Sequence, residues 1–194
     1  MPLTRAVHAF DDDLNKAVSM EDAVLDTSFV VDAMVDGEPR HHDALRYLEI
    51  LAAAGTTLYL SRLLEIELVE AAYKLSMREH FGSVQRAASM RHDGRALRRA
   101  NRMVDEIEAA WLASRAKFTF EIVEPHDVVA VARPLLRRGL SSYDAIHAAT
   151  AIWLGVPNIV TCDAGFGAVR EQDLEILTHS SVVTRTRALR ARYI

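Results

Sequence analysis

The sequence predicts an α/β fold: a three-layer α/β/α domain on a central parallel sheet of about five strands, with an inserted helical hairpin. Three observations predict it. Short apolar runs of strand length recur at residues 23–25, 57–60, 118–123, 158–161 and 174–177. Segments of helical period separate them, which makes the strands parallel and covers both sheet faces. The runs are short and mostly apolar, the pattern of strands covered on both sides.

Length and composition agree. The 194 residues, half of them hydrophobic, suit one domain with a sizeable core. The formal net charge of −4 gives no global basic footprint for nucleic acid. Cys162 is the single cysteine, which excludes an internal disulfide and suits a reducing, cytoplasmic setting. Residues 1–22 hold no apolar run long enough for a signal peptide, and no later stretch is long enough to span a membrane.

In chain order, residues 1–22 read as an N-terminal extension, a short amphipathic helix or loose arm with an acidic run at 11–13. The first strand, 23–25, closes on Asp26, and a helix over 29–35 follows. Gly37 and Pro39 break the chain before a helix over 41–54, which Gly55 ends. After the strand 57–60, Ser61 is placed to cap a helix over 62–78. Leu63, Leu64, Leu68, Ala71 and Leu75 form its apolar stripe, and Glu67 lies at the stripe's edge, where it faces a cleft. The strand 118–123 leads to a helix over 126–138, where Pro134 predicts a kink or early stop. Ser142 reads as the cap of a nearly all-apolar helix over 143–154, with Asp144 in its first turn and His147 as its polar exception. Gly155 and Pro157 end it. The strand 158–161 ends at Asp163. A last strand at 174–177 precedes an Arg-rich tail over 178–194, read as a surface helix or partly disordered.

Four acids thus occupy comparable places: Asp26 and Asp163 at strand ends, Asp144 at a helix start, and Glu67 one turn into a helix. With short right-handed connections they converge at the C-terminal edge of the sheet, where α/β folds bind ligands. Clustered carboxylates raise one another's pKa unless a cation sits among them. Hard oxygen donors without Cys or His suit Mg²⁺ or Mn²⁺, ions that serve phosphodiester cleavage.

These segments, AVLDTSFVVDAM, SRLLEIELVEA, SSYDAIHAATA and IVTCDAGF, together resemble the PIN-domain ribonucleases, in particular the VapC-like toxins of toxin–antitoxin pairs. The resemblance covers roughly residues 23–77 and 118–177. It implies a metal-dependent endoribonuclease that cleaves RNA at an acidic Mg²⁺ or Mn²⁺ site, often as a homodimer and often held by a cognate antitoxin protein. Carried onto this chain, Asp26, Glu67, Asp144 and Asp163 are the catalytic metal ligands, and Thr161 and Ser28 support them. The domain layout is then an extension over 1–22, a PIN-like nuclease domain over 23–177 with a helical insertion at about 79–117, and the tail. The alternative is a catalytically inactive PIN-like scaffold in protein or RNA assembly, against which stand the four filled acidic positions. A phosphatase of the haloacid-dehalogenase kind needs a second Asp two residues after Asp26, where Ser28 stands. A phosphate-binding loop needs glycines that DTSF lacks.

The insertion has its own pattern. Leu97, Ala100, Val104, Ile107 and Trp111 recur at spacings of three and four, the seam of a helix packed along another. Phe81, Val84 and Ala88 are expected to face it across a turn at His92, Asp93 and Gly94. Its outer surface is basic, with Arg86, Arg91, Arg95, Arg98, Arg99 and Arg102 opposed by Asp93. Arg95, Arg98 and Arg99 are candidate RNA-binding residues; a solvated face on a structural arm is the alternative.

Overall fold

A computed structural model describes residues 7–82, 92–169 and 174–192. Six strands form one all-parallel sheet: β1 (Val7–Ala9), β2 (Asp22–Leu25), β3 (Thr57–Ser61), β4 (Phe120–Val123), β5 (Asn158–Val160) and β6 (Glu175–Thr178). Their order is β1-β6-β5-β2-β3-β4. The chain moves outward one way from β2 through β3 to β4, and the other way from β5 to β6. The boundary between β2 and β5 is therefore a topological switch point, where connections leave in opposite directions and open a crevice.

Eight helices among the described residues cover the two faces: α1 (Leu14–Val18), α2 (Thr27–Met34), α3 (His41–Ala54), α4 (Leu63–Phe81), α5 (Gly94–Arg115), α6 (Pro125–Arg137), α7 (Ser142–Leu154) and α8 (Ser180–Arg192). Successive strand side chains point to opposite faces. Leu25, Val160 and Leu177 pack with α1 to α5, whereas Val24, Ile159 and Ile176 pack with α6, α7 and Val183 of α8. This is the expected three-layer α/β/α arrangement, with one strand more than the sequence suggested. No described helix is long and apolar enough to cross a membrane.

The additional strand is β1. Residues 7–9 pair in parallel with β6, from Val7 opposite Ile176 to Ala9 opposite Thr178. Three residues are too few to show a strand period, so the pairing rests on the edge that β6 presents. Phe10 follows directly and is 1% exposed, stacked on Tyr47 with ring centroids 5.0 Å apart and edge-on to Phe29. Part of the N-terminal stretch is thus built into sheet and core rather than lying loose. The tail is equally integrated. α8 buries Val182, Val183, Thr186 and Arg190, and the Arg187 guanidinium donates to the Val7 carbonyl at 2.9 Å.

The helical hairpin takes its first arm from α4 itself, which runs on to Phe81 before Gly82 caps it. α5 returns antiparallel along it. Ala96 and Ala100 pack against Tyr73, Met77 and Phe81, and Ile107 and Trp111 join the core near the start of α4. The buried stripe starts at Ala96, not at Leu97, which is 37% exposed. Val84, Arg86, Ala88 and Arg91 lie outside the described residues. α6 continues through Pro134 to Arg137. Gly155 at φ +70° ends α7 in a left-handed turn that a residue with a Cβ adopts at a cost, and three residues later β5 begins.

Candidate active site

Asp26 follows β2 and is the N-cap of α2. Its Oδ2 accepts from the Ser28 N–H at 3.2 Å, from the Ser28 hydroxyl, and from Thr161 Oγ1 at 2.8 Å. Ser28 Oγ in turn accepts from the Cys162 N–H at 2.9 Å, and Thr161 Oγ1 accepts from the Asp163 N–H at 2.9 Å. The two hydroxyls therefore tie the turn after β2 to the turn after β5, across the switch point. Three donors hold Oδ2, while Oδ1 stands 3.8 Å from His147 Nε2.

Glu67 comes in from α4. Its Oε2 accepts from Thr27 Oγ1 at 2.6 Å and lies 2.6 Å from His147 Nε2. Asp144 comes from the first turn of α7. The cap of that helix is Ser141, one residue before the expected Ser142, and its Oγ accepts from the Asp144 N–H at 3.2 Å. Asp163 caps a single 3₁₀ turn, Ala164–Ala168, by accepting from the Gly165 N–H. A Cβ on Gly165 would lie 3.1 Å from Asp163 Oδ1 and 3.7 Å from Asp144 Oδ2, so both carboxylates converge on that glycine. Asp26, Ser28, Glu67, Asp144 and Asp163 line one cleft of about 500 Å³, with Thr161 just behind Asp26.

The electrostatics follow from burial and crowding. Burial and the neighbouring charges of Asp26 and Asp163 push the Asp144 carboxyl up to about 6. Asp26 is also raised, chiefly by its complete burial and further by Glu67; the charge of His147 and the Ser28 and Thr161 hydrogen bonds oppose this without overcoming it. Burial alone would lower the His147 pKa. The hydrogen bond to Glu67 and the charge of Asp26 outweigh it, so the net shift is upward.

Carboxylates raised in this way are short of positive charge. The cleft acids are hard oxygen donors, the set that suits a divalent cation such as Mg²⁺ or Mn²⁺. No three of them bring ligand atoms all within 4.8 Å of one another.

Two participants escaped the sequence reading. His147 is fully buried between Glu67 and Asp26, and Thr27 bridges to both Glu67 and His147. The signal for His147 was its place three residues after Asp144, on the same face of an otherwise apolar helix. Arg95, Arg98 and Arg99 are not in the acid cleft; they line a separate groove on the hairpin.

A further group with metal-ligand side chains, Asp11, Asp43 and His179, lies on a different part of the fold. His179 Nε2 is 3.3 Å from Asp11 Oδ2 and 3.2 Å from Asp43 Oδ2. The Ser181 N–H donates to Nδ1 at 3.1 Å, which leaves the ring proton on Nε2, directed at the two acids. Asp11 also accepts from the Ser180 N–H and hydroxyl. The set is a hydrogen-bonded cap that fastens the start of α8.

No curated protein matches the chain. The PIN domain family profile matches residues 23–172, a span that holds all four cleft acids, Ser28, Thr161 and His147. PIN domains are in general nucleases that use divalent metal ions, and the oxygen-rich cleft suits that chemistry. On the extent of this match, and with the acid-lined switch point it covers, the chain belongs to the PIN domain family.

Proposed function

We propose that the protein is a metal-dependent endoribonuclease, a VapC-like toxin that cleaves RNA at the cleft formed by Asp26, Glu67, Asp144 and Asp163. The observation that carries this reading is the convergence of Asp144 and Asp163 beside Gly165 in a cleft that Asp26 and Glu67 also line. Such a site gains most from a divalent cation, here Mg²⁺ or Mn²⁺, which lowers the pKa of a water nucleophile and offsets charge on the leaving oxygen.

The chain's own residues have separate parts in this reading. Asp26, Glu67, Asp144 and Asp163 would hold the ion. Glu67, anchored by Thr27 and His147, faces the same cleft from α4. Ser28 and Thr161 keep Asp26 in a fixed orientation, so little reorganisation is needed on binding. Lys74 at the cleft rim, exposed and only loosely paired with Glu70 at 3.9 Å, attracts the phosphate.

Incubation of the purified protein with RNA tests the activity. Internal cleavage is expected with Mg²⁺ or Mn²⁺ and its loss with EDTA; cleavage indifferent to EDTA would refute the reading. The toxin assignment predicts growth arrest on expression, relieved by a cognate antitoxin. The homodimer predicts twice the chain mass in sedimentation.

A further inference from the structure

The hairpin carries a second charged feature, remote from the acids. Arg95, Arg98, Arg99 and Arg102 lie at i, i+3, i+4 and i+7 of α5 and so form one stripe. All four are exposed, and Ala96, Ala100, Ile107 and Trp111 bury the other side of the helix. With His80 from the end of α4 they line a groove of about 540 Å³. Arg99 reaches across it to the His80 ring.

Their clustering sets these arginines apart: four share one face of one helix and line one groove. Four others, Arg40, Arg62, Arg78 and Arg115, meet Asp32, Glu124, Glu38 and Glu65. Among the described residues no carboxylate lies within ion-pair distance of Arg95, Arg98, Arg99 or Arg102. Asp93 is committed as the cap of α5, accepting from the Arg95 and Ala96 N–H groups at 3.0 and 2.8 Å. The positive end of the α5 dipole adds to the same field. Glu106, one turn beyond Arg102, closes the stripe. A hairpin that served only for packing would gain nothing from four unmatched cations on its outer face, in a chain of net charge −4.

We propose that this groove binds the phosphate backbone of the RNA at a distance from the cleavage site. The proposal rests on the ribonuclease reading and adds a place for the rest of the strand. Neighbouring guanidiniums on a helical stripe start from Cβ atoms ~5–6 Å apart, which lets several engage successive phosphates. His80 follows Glu67 on α4 by thirteen residues, about 20 Å at 1.5 Å per residue. At ~3.4 Å per stacked nucleotide, a strand must extend about six nucleotides from the scissile phosphate to reach the groove. Long RNAs engage both sites; a tetranucleotide is too short to span them.

The test is fluorescence anisotropy in EDTA, so that no cleavage occurs, with an unstructured 20-nucleotide RNA. The variants are the triple Arg95→Glu, Arg98→Glu, Arg99→Glu and the milder triple to Gln, whose melting temperature serves as the folding control. On the 20-mer, both triples are expected to bind at least about tenfold more weakly at low salt. With ~0.7 counterions released per phosphate contact, the log–log salt slope should fall by about two, so that between 50 and 200 mM salt the variants lose roughly 15-fold less affinity than the wild type. Unchanged affinity and slope on the 20-mer, as a surface for an acidic protein would give, would overturn the proposal. Failure of the wild type to cleave RNA with Mn²⁺ would instead remove the ribonuclease reading, whatever the groove binds.

Discussion

His147 Nε2 of α7 lies 2.6 Å from Glu67 Oε2 of α4, and the ring is fully buried. Two helices from opposite faces of the sheet thus meet through one hydrogen bond beside Asp26. The hydrogen bond to Glu67 and the charge of Asp26 raise the His147 pKa against the effect of its burial. Replacing the ring by Ala opens a void and leaves Glu67 with Thr27 as its remaining partner. We expect His147→Ala to cost about 2–4 kcal/mol in urea unfolding. His147→Gln, which keeps an N–H donor, should recover part of it. A loss below ~1 kcal/mol for the Ala variant would show that the bond contributes little.

The metal-free protein should be more stable at mildly acidic pH than at neutral pH. Asp144 has a folded pKa of about 6 against an ordinary value of 3.8, so between these the folded state holds more protons than the unfolded one. Its contribution is complete below about 4 and is lost as pH rises through about 6. The raised His147 acts with the same sign. For Asp144 the effect is at most about 3 kcal/mol, less after screening of a partly exposed group. Urea unfolding in EDTA at pH 5 and 7.5 measures it, and Asp144→Asn should flatten the difference. Saturating Mn²⁺ should reverse the trend, since metal binding needs the ionised carboxylate.

Asp26→Asn keeps the side-chain volume and still offers an oxygen to Ser28 and Thr161, so the fold should persist. RNA cleavage should fall at least about 100-fold, the usual scale for losing one charge-stabilising group. Differential scanning calorimetry adds a second readout. At a hundred times its Kd, Mn²⁺ should stabilise the wild type by about 2.7 kcal/mol and the variant by much less. An equal shift in both proteins would remove Asp26 from the metal site.

Phe10→Ala tests the N-terminal addition to the sheet. The ring is buried against Tyr47 and Phe29 and closes the core beside β1. A loss of about 3–5 kcal/mol in unfolding free energy is expected. A near-neutral effect would mean that the stretch contributes little to stability.

What the sequence by itself determined is local or periodic. Short, mostly apolar runs marked β2 to β6 as strands, and Gly55 and Gly155 marked helix ends, because these follow from side-chain pattern and backbone freedom alone. Asp26, Asp144 and Asp163 were legible because each sits at a punctuation point of an α/β unit, and Glu67 because it edges the apolar stripe of its helix. Their meeting was decided by tertiary structure. Asp26 and Asp163 become neighbours only because β2 pairs with β5 at the switch point, and the Ser28 and Thr161 hydroxyls complete that join. The partners of His147 lie 80 and 121 positions away in the chain, beyond any local pattern. β1 exists because β6 offers an unpaired edge, and Ala96 rather than Leu97 is buried because α4 sets the angle at which α5 rests. Such choices depend on which surfaces meet, and a linear pattern does not encode that.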